Sequence, residues 1–294
     1  MSLSQHPFRG PFFMVVATGS YVINDSFMKL ATVGLPPYEV LMLRGAFAAL
    51  WGFPLLLMLG FGRQLPQMFE RFTLLRNFCE LGAILCYILA LAHMPIADAS
   101  ALGQITPLIV LLGASLLFRE KIGGFKMALI GTGFIGALMV AQPTMQGISI
   151  YAVLALANAV LCAVRDIVGR RVPAEIPAMV VAMSAVVVVL VGAGAVHLVT
   201  EQWVMPSLNH LLLLAASGFF LVFGHIFIFL SYRVGPTSAV APFYYFFTLW
   251  AVIAGLVVFN QFPNLLAIGG ILLVVASGVA VVLLDGRRRP EPVA

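Results

Sequence analysis

The sequence predicts an all-α polytopic membrane protein. Ten transmembrane helices form two inverted five-helix repeats, with both termini cytoplasmic. Three observations predict this. Of 294 residues, 62% are hydrophobic and 9% are charged, against about 45–50% and 25% in a soluble domain. The apolar runs are continuous rather than alternating, which favours helices over a barrel. The few cations are sorted into alternate connections. A soluble chain of this length carries roughly 70 charged residues; this one has 16 Lys and Arg and 11 Asp and Glu. A soluble enzyme, a disordered chain and a disulfide-stapled secreted domain are excluded.

A spanning helix needs about 20 mostly apolar residues. The spans fall at 12–33, 37–60, 73–92, 96–118, 122–141, 147–169, 176–199, 208–232, 236–259 and 263–284. The first span runs on past Asn24, Asp25 and Ser26 without a small-residue cleavage site, so it is read as a helix rather than a signal peptide. The second contains Arg44 and, near its inner end, Pro54. The third carries Glu80, Tyr87 and two of the three cysteines, Cys79 and Cys86. With Cys162 these read as small packing residues. The fourth has Pro107 near its middle. The fifth has a small-residue stripe of Ala128, Thr132 and Gly136 flanked by Gly133, of the kind that lets helices approach in lipid. Asn158 is central in the sixth and His225 lies in the eighth. Pro242 lies several residues into the ninth, just before Tyr244 and Tyr245. The tenth is glycine-rich, with Gly270 and Gly278. The fifth and tenth are read as packing scaffold.

The cations test the count. With the N-terminus inside, the cytoplasmic segments hold 14 of the 16 Lys and Arg, and the outer connections hold none. That asymmetry is the positive-inside pattern of ten spans. The net charge of +5 is therefore an orientation signal. Its cations are dispersed over six segments, which is no nucleic-acid footprint.

Residues 94–140, covering spans four and five, are echoed by spans nine and ten about 140 residues later. Each hairpin opens on a proline and a small-residue run, continues as an apolar helix, breaks, and ends in a glycine-rich helix. The halves are 1–143 and 144–294, one integrated transport domain. Five helices per half make the second half enter from the opposite face. That inverted repeat allows alternating access to a central site.

These hairpins resemble the drug/metabolite transporter superfamily, in its ten-helix EamA-type branch. The matching residues are Met94 to Ala99, Pro107 and Phe118 to Gly123 in the first half. In the second they are Gly235 to Ser238, Ala241 to Tyr245 and Val275 to Gly278. The pattern is most similar to the YddG group of bacterial amino-acid exporters. One departure is Gln261, where the family often has Glu. The resemblance implies a secondary transporter of the bacterial inner membrane that exports small metabolites, most of all aromatic or other apolar amino acids. An importer of a nucleoside-like metabolite such as S-adenosylmethionine stays open beside it, as does a broad exporter of drugs or organic cations.

Polar groups in hydrocarbon are costly and face the protein interior. An amphipathic solute needs apolar and aromatic walls with a few fixed hydrogen-bonding groups. The expected substrate-binding residues are Tyr21, Asn24, Tyr87, Ser100, Gln104, Asn158, His225, Tyr244 and Tyr245, on spans 1, 3, 4, 6, 8 and 9. Ser100 and Thr106 could equally bond back to their own helix. The expected gate or pathway charges are Asp25, Lys29, Arg44, Glu80 and Asp166. Asp25 and Lys29 are four apart and either pair with each other or hold an amino acid's charged ends. Arg44 pairs with Asp25 or Asp98, or snorkels outward. Pro107 and Pro242 are hinges or static kinks.

Catalysis is not expected. His6, His93, His197, His210 and His225 include no pair four apart, and no Ser-His-Asp set converges. No phosphate-binding loop is present for ATP-driven pumping. No span shows the face-to-face polar stripe of a channel. Neither a cofactor nor a metal is expected, and no obligate protein partner is implied. The partners are a small-molecule substrate and the lipid bilayer.

Overall fold

In lipid a continuous apolar run leaves the backbone no partner but itself, so it must coil. The structure, a computed structural model, describes residues 9–106, 108–110, 113, 123–142, 148–169, 171–234 and 240–286, and no strand occurs among them. The helices are α1 (Arg9–Ala31), α2 (Pro37–Met58), α3 (Arg71–His93), α4 (Ile96–Gly103) and α5 (Gly124–Ala141), then α6 (Ile150–Gly169), α7 (Ala178–Thr200), α8 (Leu208–Val234), α9 (Phe246–Val257) and α10 (Leu265–Gly286). Helices α2, α3, α6, α7 and residues 208–228 of α8 are each long and apolar enough to cross a membrane.

Local chemistry sets the ends. Pro37 opens α2, where a missing N–H does no harm. Gly60, at φ 83°, turns the chain into a 3-10 segment, Phe61–Phe69. The Glu70 carboxylate caps α3 by accepting from the Thr73 N–H at 2.8 Å. Prolines 95 and 177 stand at the N-caps of α4 and α7.

The principal pairings are α1 with α8, α3 with α6, α2 with α7 and α5 with α10. Helix α9 lies against α1 and α4, and α4 against α6. The α5–α10 contact is a close backbone approach. A Cβ added at Gly136 would stand 2.7 Å from the Gly270 carbonyl oxygen. The face of α5 turned inward is Ile130, Gly133, Gly136, Ala137 and Val140. This shifts the predicted stripe: Ala128 is exposed, and Thr132 spends its hydroxyl on the Ala128 carbonyl. A spacing of four drifts around a 3.6-residue helix, so only Gly136 of that series reaches the seam. A reciprocal amide pair, Gln142 with Asn264 at 2.8 and 3.0 Å, ties the end of α5 to the start of α10.

Two spans differ from expectation. The fourth is helical from Ile96 to Gly103, turns at Gln104 and Ile105, and is helical again at Thr106. Pro107, its predicted hinge, lies outside the described residues, as does the expected boundary at 143/144. The ninth begins as a 3-10 turn, Ala241–Tyr245, before α9. Pro242 sits in the first positions of that turn, not within an α-helix; a proline is tolerated there because the early N–H groups of a helix have no acceptor.

The ends of α2 and α7 are joined by a carboxylate that the sequence reading passed over. Glu201 accepts from the N–H groups of Tyr38 and Glu39 at 3.1 and 3.2 Å, capping α2 from across the bundle. His197 Nδ1 lies 2.9 Å from Glu201 Oε2 and holds it in place.

Candidate functional site

Helices α1 to α4 and α6 to α9, with the 3-10 turn before α9, surround a cavity of about 600 Å³. That volume is within the range of small-molecule sites. Among the described residues none of α5 or α10 lines it.

All nine expected binding residues stand on its wall: Tyr21, Asn24, Tyr87, Ser100, Gln104, Asn158, His225, Tyr244 and Tyr245. Of the expected charges, Asp25, Arg44, Glu80 and Asp166 join them, and Lys29 does not.

The aromatic part is built from α1, α8 and the turn into α9. Tyr21 meets His225 edge to face, with ring centroids 5.5 Å apart. His225 Nδ1 is 2.7 Å from the Leu221 carbonyl of its own helix, which leaves the other ring nitrogen for the cavity side. Tyr244 stacks on Phe247 at 6.4 Å. Tyr245 reaches the cavity and also seats its hydroxyl against Gly278 of α10, where a Cβ would overlap it.

The polar part centres on Asp25. One carboxylate oxygen accepts from Tyr87 Oη at 2.8 Å and the other from Asn24 Nδ2 at 2.8 Å. Asn24 Oδ1 in turn accepts from Ser217 of α8 at 2.8 Å. Asn158 receives the Cys162 thiol at 3.5 Å, so that cysteine lines the cavity as well as packing. Thr106 bonds back to Gly103 at 2.7 Å, the ordinary fate of a helical threonine, whereas Ser100 makes no bond to a carbonyl of its own helix.

Asp25 and Lys29 do not pair. Lys29 Nζ donates to the backbone oxygens of Leu91 and Met94, in the last turn and at the C-cap of α3. Those carbonyls lack helical partners and carry the negative end of the helix dipole. Spacing on one helix face brings two side chains within reach, but a four-carbon stem also reaches a neighbouring helix, and the orphan carbonyls win. The Phe259 ring lies 5.6 Å from Nζ. Lys29→Met leaves both carbonyls without that ammonium. A buried acceptor without a partner costs about 1–3 kcal/mol, so the melting temperature of the purified protein is expected to fall by several degrees. An unchanged melting temperature would show that this contact adds no stability.

At the other end of the cavity, Arg165 of α6 bonds Glu80 of α3 at 2.7 Å. Arg76 stands 3.8 Å from the same carboxylate, and Arg165 also meets Asp166 at 2.8 Å. Arg44 pairs with neither Asp25 nor Asp98. It is 5% exposed, so it does not snorkel either.

The sequence reading missed α7, which contributes Ala182, Ala185, Val186 and Val189 to the wall. An alanine and valine helix has no polar side, so nothing in its pattern shows which face turns inward. Among the described residues no group of three His, Cys, Asp or Glu could hold a metal ion.

Residues 8–142 match the EamA-like transporter family. The chain is 29% identical to the pseudopaline exporter of Pseudomonas aeruginosa, covering 91% of this chain and 94% of that one. It is 28% identical to the riboflavin transporter of Vibrio cholerae, over 90% and 89% of the two chains. It is 23% identical to the S-adenosylmethionine uptake transporter of Rickettsia prowazekii, over 92% and 90%.

Proposed function

We propose, for a chain that belongs with the EamA-like transporters, export of small amphipathic metabolites by alternating access. The chain is a multi-pass membrane transporter; its relatives are transporters rather than enzymes. Aromatic or other apolar amino acids are the substrates that suit the site best. One observation carries the reading: a single cavity takes its wall from α1 to α4 and α6 to α9 and is lined by tyrosines, buried amides and charged side chains.

Alternating access needs two halves that rock about the site. The helix pairings are consistent with such halves. Exchanging each helix with the one five places later turns the α1–α8 pairing into α6–α3, and α1–α9 into α6–α4, while α2–α7 and α5–α10 map onto themselves. In this reading 1–143 and 144–294 are inverted repeats in the bacterial inner membrane, with both termini cytoplasmic. Helices α5 and α10 hold the halves together at Gly136 and Gly270. The Glu80–Arg165 pair, joining α3 to α6, closes the cytoplasmic side. Pro242 lies in the irregular stretch before α9, where the chain could bend.

A second reading is import of a nucleoside-like metabolite. It is favoured by the riboflavin and S-adenosylmethionine transporters among the relatives and by the same aromatic walls. A screen in proteoliposomes separates the two. Radiolabelled phenylalanine, riboflavin, S-adenosylmethionine and an organic cation are offered with and without a pH gradient. Saturable phenylalanine flux with counter-transport is expected. Flux of riboflavin or S-adenosylmethionine alone would favour the second reading, and no flux of any solute would sink both.

A further inference from the structure

We infer that Arg44 is the anchor for a carboxylate on the transported solute, so the substrate class is anionic or zwitterionic and excludes simple organic cations. This rests on the transporter reading of the cavity.

The observation is a cation with no partner. Arg44 is 5% exposed and lines the cavity. Its Nε is buried without a hydrogen-bond acceptor, and its guanidinium forms no ion pair with any described residue. A guanidinium carries five donors and cannot shed its charge. Buried without an acceptor it is costly, and proteins keep such groups where something repays the desolvation. The neighbours do not repay it. Helix α7 packs against α2 at Gly45 and offers Ala185, Val186 and Val189, none with a side-chain acceptor.

Asp25, on the same cavity wall, is the natural counter-charge. Its two oxygens are instead engaged by Tyr87 and Asn24, a tie that runs on through Ser217 to α8. The carboxylate is thereby held away from the guanidinium and leaves its fork open. A planar fork matches a carboxylate through two parallel hydrogen bonds. Across the same cavity Gln104 is 4% exposed with its Oε1 unpartnered. An acceptor there complements a donor such as an ammonium. An unpaired donor fork and an unpaired acceptor in one cavity match the two ends of an amino acid.

The test uses the full chain in detergent and in proteoliposomes, with L-phenylalanine, phenylacetate and phenylalaninamide as probes. The two acids are expected to raise the melting temperature of the wild type, and the amide is not. Arg44→Gln is expected to weaken acid binding about 10- to 100-fold, the worth of a charged bidentate contact. Arg44→Lys keeps the charge and guards against misfolding; it is expected to bind more weakly than wild type because it lacks the fork. Equal stabilisation by acid and amide overturns the anchor. So does wild-type acid binding in folded Arg44→Gln or Arg44→Lys, and so does a lack of stabilisation by either acid. Failure of the transporter reading looks different. If the acids bind through Arg44 but no probe crosses the vesicle, the anchor stands and that reading falls. If neutral or cationic solutes cross and the acids do not bind, the anchor falls and transport stands.

Discussion

Arg165→Met is expected to reduce phenylalanine counterflow in proteoliposomes about five- to thirtyfold, while a charge-reversed pair, Glu80→Arg with Arg165→Glu, recovers a substantial part of it. Arg165 is bound to Glu80 at 2.7 Å, and the two side chains are 20% and 26% exposed. Removing the arginine leaves a half-buried carboxylate facing only Arg76, at 3.8 Å. Losing one partner of a fully buried pair costs about 3–5 kcal/mol. Water reaches this pair, so about 1–2 kcal/mol is the better expectation. Each 1.4 kcal/mol is tenfold in an equilibrium. If the pair closes the cytoplasmic side, that shift falls on the balance between closed and open states. Met keeps the length of the side chain, so lost packing is a small part of the effect. Transport by Arg165→Met at the wild-type rate would remove the gate. The Asp166 contact of Arg165 is expected to matter less, because Asp166 is 43% exposed and a solvated pair is worth little.

The second large effect is on folding. Gly136→Leu is expected to abolish the monodisperse peak in fluorescence-detected size exclusion, or to lower the melting temperature by ten degrees or more. A Cβ at Gly136 would stand 2.7 Å from the Gly270 oxygen and 2.9 Å from Leu273 Cβ. Overpacking typically costs about 1–3 kcal/mol where side chains can shift. Here the obstacle includes backbone, which cannot swing away, so the cost lies at or above the top of that range. Gly131 is the control on the same helix. Nothing lies within 4 Å of a Cβ placed there, and Gly131→Leu is expected to fold as the wild type does. If Gly136→Leu folds equally well, α5 and α10 do not meet along this seam.

Much of the cavity wall was legible because polar residues are rare in this chain. Asn158, Gln104 and His225 stand out in apolar runs, and hydrocarbon pushes such groups towards the interior whatever the details of packing. Lys29 was misread for a reason of the same kind. Its placement four residues after Asp25 is a fact of one helix, whereas its actual acceptors belong to another. The α5 stripe was misread because a run of small residues shows that a helix can be approached closely, without showing which of its small residues the neighbour touches.

Composition and apolar run length, which are local properties, determined that this is a helical membrane protein and how its polar groups are spaced along each helix. The tertiary structure decided the rest, because the rotation of each helix about its own axis and the choice of neighbour depend on all the helices packing at once. That rotation brought the alanine and valine face of α7 onto the cavity and gave Lys29 to the carbonyls at the end of α3. It also engaged Asp25 with Tyr87 and Asn24, and so left Arg44 facing the cavity without a partner.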